Sequence, residues 1–110
     1  MRGTSVEPLR RRACFDALRR DGRRSRHGAL TVTTLPGAPG ERVRVGYSIG
    51  RPVGPAVTRN RVRRRLRAIV ASLDLTPGAY LIGAGPAAAD ASFDDLDTAL
   101  RRLLADRARP

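Results

Sequence analysis

Thr58–Arg67 reads TRNRVRRRLR: six of the ten residues are arginine, and the apolar ones stand at helical spacing. With Leu66 set at zero and each residue advanced by about 100°, Val62, Leu66, Ile69, Val70 and Leu73 fall within an arc of roughly 100°. Arg61, Arg63, Arg64, Arg65 and Arg67 fan around the remainder. One stripe can therefore bury against a core while the rest of the surface offers guanidinium forks, which match phosphate geometry and can stack on bases. Like charges at i and i+4 destabilise an isolated helix, so a polyanionic partner is the economical explanation of the run. The segment predicts an ordered, phosphate-reading helix rather than a floppy basic tail.

The whole chain agrees with that reading. At 110 residues it has room for one domain with a modest core. Aromatics are only 4% and tryptophan is absent, so the core must come from Leu, Val, Ile and Ala. Net charge is +12, with 22 arginines, ten acids and no lysine; the missing lysine fits a coding bias toward Arg, Ala and Gly. Residues 1–67 hold 18 arginines and four acids, or +14, whereas residues 68–110 hold four and six, or −2. Such asymmetry points to a polyanion, nucleic acid being the commonest and an anionic membrane surface the rival. No apolar run has the length of a membrane span, and Arg2 is not followed by the apolar core of a signal peptide. A cytoplasmic location is expected, and Cys14, the single cysteine, fits a reducing compartment.

Outward from the arginine run, residues 1–8 read as a loose, flexible start and 9–107 as a single RNA-binding domain. Leu9 to Asp21 is helical, with Cys14, Ala17 and Leu18 on one face, Phe15 beside it and Gly22 as C-terminal cap. RRSRHG, residues 23–28, reads as a polar link. Ala29–Leu35 and Arg42–Ile49 are strands; in the second, Val43, Val45, Tyr47 and Ile49 alternate with Arg44, Gly46 and Ser48. Gly50–Pro55 is a loop, the arginine helix runs from about Ala56 until Thr76, Pro77 and Gly78 end it, and Tyr80–Ala84 is a short buried strand. Gly85–Asp90 is a loop. Ser92 with Asp95 resembles a capping box before Phe93, Leu96, Leu100, Leu103 and Leu104, an amphipathic helix to about Arg107. Asp94, Asp95 and Asp97 near its start and Arg101 and Arg102 farther along suit the helix dipole. An α/β sandwich follows, with one strand missing or hidden.

No set of residues here can cut a phosphodiester alone. A nuclease would want His pairs, a His with a catalytic Lys, or clustered carboxylates holding metal; His27 stands alone, lysine is absent, and most acids lie in the C-terminal third. His27 lacks companions for a metal site and reads as a surface residue. Gly50–Gly54 lacks the lysine of a nucleotide-binding loop, so no nucleotide cofactor is expected. Cys14 reads as a helix-packing residue. Tyr47 and Tyr80 read as core or rim, Asn60 as a cap or an RNA contact, and Phe15 as core or cleft. Gly46 and Ser48 suit either a shallow cleft floor or close packing against a helix.

At VGYSIGRPVGPAVTRNRVRRRLRAIV, residues 45–70, the chain resembles the protein subunit of bacterial ribonuclease P, whose signature is the central R-N-R. Leu9–Gly22 resembles the family's first helix and residues 80–104 its last strand and helix, so the likeness covers most of the chain. The resemblance implies an α/β (α+β) two-layer sandwich of about four strands and three helices, a ribosomal-protein-like fold with a left-handed β-α-β crossover into and out of the arginine helix. It implies RNA contacts at Arg51, Arg59, Asn60, Arg61, Arg63, Arg64, Arg65 and Arg67. It also implies a cleft for the 5′ leader of precursor tRNA, carried over to Phe15, Arg19, Thr33, Gly46 and Ser48. Partners would be the ribonuclease P RNA subunit and precursor tRNA, with no membrane; magnesium ions would be held mainly by the RNA, and whether the protein touches them is left open by the sequence. The chain departs from the pattern at Arg19 and Thr33, where aromatics are common, at Pro52 for a common Lys, and at Gly85 for an Arg. Its leader site would rely more on charge and less on stacking. A structural ribosomal or rRNA-associated protein, or a basic nucleoid DNA binder, are the competing readings.

Overall fold

The structure, a computed structural model, describes residues 6–108. Its elements are β1 (Val6–Pro8), α1 (Arg12–Asp21), β2 (Arg23–His27), β3 (Leu30–Pro36), β4 (Val43–Ile49), α2 (Ala56–Ala71), β5 (Gly78–Ala84) and α3 (Phe93–Leu103), with 3₁₀ turns at Arg51–Val53 and Pro86–Ala89. One five-stranded sheet has the order β1-β4-β5-β3-β2. β1, β4 and β5 run parallel, and β3 and β2 antiparallel to their neighbours. α2 carries the chain between the parallel neighbours β4 and β5.

The apolar stripe read from the sequence organises the core. Val62, Leu66, Ile69 and Val70 of α2 and Leu96, Leu100 and the following Leu104 are buried with Leu30, Val32, Val43, Val45, Tyr80 and Ile82 from one sheet face. Strand alternation sends the neighbouring residues to the reverse face. There α1 lies across β3 and β5, with Leu18 only 1% exposed. The expected two-layer sandwich of sheet and three helices thus has its helices divided between the two faces, α2 and α3 on one and α1 on the other.

Five strands replace the expected four or so, because both edges were read as irregular. Arg23–His27 has no apolar alternation to announce it, yet it pairs along its length with β3, Arg23 opposite Thr34 and His27 opposite Leu30. Its backbone supplies the ladder while Arg23, Arg24 and Arg26 stay exposed, a charged edge of the kind that resists strand-on-strand association. Val6–Pro8, expected to be loose, pairs with Val43–Val45. Glu7 reinforces the pairing through Arg42 (2.7 Å) and, more distantly, Arg44 (3.9 Å). Residues 1–5, the rest of the expected loose start, lie outside the described residues.

Helix ends also shift. α1 starts at Arg12 rather than Leu9, since Leu9 instead extends β1 by donating its N–H to the Val45 carbonyl (3.0 Å). Gly22 does cap α1, in extended rather than left-handed conformation; a Cβ there would collide with the Leu18 carbonyl and lie 2.7 Å from Thr33 Cγ2. α2 ends at Ala71, where the Ser72 hydroxyl donates to the Ile69 carbonyl (2.6 Å). α3 stops at Leu103, and the chain then turns so that Arg107 accepts from the Thr76 N–H (2.8 Å) and Ala108 bridges to Leu75. Ser92 caps α3, accepting from the Asp95 N–H (3.0 Å).

Candidate nucleic-acid interface

α2 sorts its arginines by angle. Arg61 and Arg65, one turn apart, reach sideways to the segment before α3: Arg61 Nη2 donates to the Ala89 carbonyl and Arg65 Nη1 to the Ala91 carbonyl, each at 3.2 Å. They brace the loop that delivers α3. Asn60, Arg63 and Arg67 occupy the opposite flank. Asn60 Oδ1 accepts from Arg63 Nη1 (3.0 Å), so the asparagine orients an arginine. Arg67 sits over the Tyr47 ring, 5.9 Å from its centroid, within cation–π range. Arg64 points away from the core and is exposed. Arg59 lies near the buried stripe, and its Nε is buried without a partner. Arg51 is exposed on the 3₁₀ turn preceding the helix.

No acidic residue lies on α2. Its exposed guanidinium row is therefore not neutralised along its own helix. Tyr47, at the flank of this row, is half-buried; burial pushes its phenol from 10.0 up to about 12, against a smaller lowering by Arg67. It remains a neutral hydrogen-bonding group at physiological pH. Tyr80 is fully buried and its hydroxyl donates to the Thr76 carbonyl (2.6 Å), a core role.

Two of the hollows beside the sheet bear on these residues. One, of about 340 Å³, lies between α1 and the reverse face and is lined by residues including Leu18, Arg19, Arg24, Thr33 and Ser48. It brings together three of the residues assigned to a leader cleft. Phe15, half-buried, falls about 60° from Leu18 on the α1 helical wheel, on the same side as Arg19. Gly46 does not join them: Leu9 packs over it, and a Cβ on Gly46 would lie 3.1 Å from that of Leu9. The chain crosses this point on its way from β1 to α1, so the expected floor position is covered. Arg24 was missed because its strand looked like a link; its register opposite Thr33 places it at the hollow. The second hollow, of about 640 Å³, opens at the β4 edge beneath α2, among Leu9, Val45, Tyr47, Arg63, Arg67 and Val70. Nothing in the spacing of these residues announces it.

The guanidinium groups of these surfaces have the fork geometry that matches phosphate oxygens. The arginine row offers no anionic donors, and among the described residues no three His, Cys, Asp or Glu side chains cluster as metal ligands would. Among the described residues no helix is long and apolar enough to cross a membrane.

The family model described as Ribonuclease P matches residues 4–108, the arginine helix and both flanking strands included. The chain belongs to the ribonuclease P protein family. The ribonuclease P protein component of Streptomyces avermitilis is 40% identical over 116 aligned residues, covering 92% of this chain and 94% of the relative. That of Acidothermus cellulolyticus is 44% identical over 102, covering 87% and 83%. Among solved structures, the RNase P protein of Staphylococcus aureus superposes with a TM-score of 0.81 at 20% identity, covering 93% of this chain and 95% of that one. The Thermotoga maritima RNase P protein gives 0.76 at 22%, covering 89% and 94%. The ribonuclease P fold is thereby shared across low identity, with three α-helices on a five-stranded mixed sheet among the described residues of this chain.

Proposed function

We propose that this ribonuclease P family chain acts as the protein subunit of the ribonucleoprotein: it binds the catalytic RNA and the 5′ leader of precursor tRNA and supports endonucleolytic 5′ maturation in the cytoplasm. The observation that carries the reading is the guanidinium row of α2, held on a rigid, core-anchored helix that has no acid of its own. Arg51, Arg63, Arg64 and Arg67 are the principal RNA contacts. Arg59 and Asn60 contribute at the edge, and Arg61 and Arg65 through the N–H groups not committed to Ala89 and Ala91. The hollow at α1 receives the single-stranded leader, with Arg19 and Arg24 on phosphates, Thr33 and Ser48 as small polar groups, and Phe15 at its side.

The chemistry of bond cleavage belongs to the RNA and the magnesium ions it holds. The protein's own part is electrostatic: fixed guanidinium groups lower the repulsion between two polyanions, which raises substrate affinity and favours cation binding at the RNA site. The test is reconstitution with the cognate catalytic RNA at low magnesium. The expected result is stimulated cleavage of precursor tRNA; no stimulation would reject the assignment in favour of a structural RNA-binding role.

A further inference from the structure

The hollow at the β4 edge has a composition that the phosphate-binding role of α2 does not explain. Its walls are apolar, built from Leu9, Val45, Val70 and the methyl of Ala71, while two arginines and a neutral phenol ring stand at one side. A volume of about 640 Å³ lies in the range of roughly 300–1,000 Å³ that holds small ligands. Its carboxylate, Glu7, is already engaged by Arg42 and Arg44, so the charge left over is that of Arg63 and Arg67.

The sheet edge adds a second feature. β1 pairs with β4 only from Val43 to Val45, and the final backbone bond of that ladder is the Leu9 N–H on the Val45 carbonyl. In a strand every second residue turns its N–H and C=O to the same side. Tyr47, two residues on, therefore presents both groups to the open edge, where no described strand follows. A donor and an acceptor side by side at the margin of an apolar slot complement the edge of a heterocyclic base.

We infer that this hollow is a pocket for one unstacked nucleobase of single-stranded RNA, with the base between Leu9, Val70 and the Arg67–Tyr47 pair, its edge on the Tyr47 backbone, and its phosphate on Arg63. Charge complementarity selects a nucleotide over an apolar peptide: the flanking groups are cationic and continuous with the arginine row of α2. The inference rests on the RNA-binding reading above and adds to it a base-binding site on the sheet edge, separate from the α1 hollow.

The test uses the whole chain, ¹⁵N-labelled, titrated with the four nucleoside 5′-monophosphates and with ribose 5-phosphate. Saturable amide shifts centred on Leu9, Tyr47 and Ala71, present with the nucleotides and much smaller with the sugar phosphate, are expected. Ala71→Trp, at an exposed position on the pocket wall, should fill the slot and abolish these shifts, whereas Ala71→Ser should keep them. In fluorescence polarisation with a single-stranded RNA decamer, A71W should bind about five- to tenfold more weakly with an unchanged salt slope, the effect of removing one stacked base. Shifts confined to Leu18, Thr33 and Ser48, equal shifts with ribose 5-phosphate, or wild-type affinity in A71W would each overturn the pocket while leaving RNA binding intact. A wild-type chain that binds no RNA would overturn both.

Discussion

α2 and α3 lie on the same face of the sheet and bury equivalent leucines, yet they are built on opposite principles. α3 is electrostatically self-sufficient. Ser92 caps it, Asp94 and Asp95 occupy its positive end, Arg101 and Arg102 its negative end, and Arg101 meets Asp97 at 2.8 Å. α2 has none of these devices: no side-chain cap, no acid in its first turn, and arginines crowded at i and i+4. A helix can forgo local optimisation when burial holds it, and Val62 and Leu66 are both fully buried. The difference teaches that repulsion retained in one helix, when its neighbour shows how easily it is relieved, marks the surface meant for a charged partner.

The sharpest way to break the comparison is to remove what the helices have in common. Leu66→Ala and Leu100→Ala, each at a fully buried position, should both cost about 2–5 kcal/mol in denaturant unfolding. A markedly smaller cost for Leu66 would show that α2 is not anchored by its stripe. Next in size, the triple substitution of Arg63, Arg64 and Arg67 by Ala should reduce the log–log salt slope of RNA binding by roughly 0.7–0.9 for each phosphate no longer neutralised. Arg101→Ala with Arg102→Ala on α3 should leave it unaltered, and an equal fall would make the charge effect non-local.

Arg61→Ala with Arg65→Ala sharpens the contrast within α2. Each removes a bond to the loop before α3, so unfolding free energy should drop by about 1 kcal/mol per site, with a smaller change in salt slope than the triple variant. Giving α2 what α3 already has should act in reverse: Val57→Glu, exposed in the first turn, should stabilise the fold by about 0.3–1 kcal/mol while weakening RNA binding. The smallest effect concerns Tyr47. Because its folded pKa is raised to about 12, its stabilising contribution is complete below pH 10 and fades as the pH climbs toward 12. Tyr47→Phe should flatten that part of the stability profile, and Arg67→Ala should move the Tyr47 ultraviolet titration still higher.

Where apolar periodicity was strong the sequence spoke plainly. The stripe from Val62 to Leu73, the alternation from Val43 to Ile49 and the Ser92 cap all carry their structural reason within a few residues, and the R-N-R stretch carried the family. The two edge strands were illegible for a common cause: an edge strand is held by backbone bonds to one neighbour, which leave no pattern in side chains such as those of Arg23–His27. The directions of the arginines were equally hidden. Angle on the wheel separates Arg61 and Arg65 from Arg63 and Arg67, but only the fold places loop carbonyls on one flank and Tyr47 on the other. Gly46 suited a cleft floor or close packing equally, because smallness alone cannot tell vacancy from cover, and Leu9 covers it.

The tie between residues 75–76 and 107–108 sets a boundary for anyone trimming or fusing this polypeptide. A truncation before Arg107 would strip the Thr76 amide of its acceptor and uncover Leu75 and Leu104 together, loosening the hinge by which the chain passes from α2 into β5. The last turn is therefore a clasp on the middle of the sequence, and shortened versions would report on its removal before they reported on anything to do with RNA.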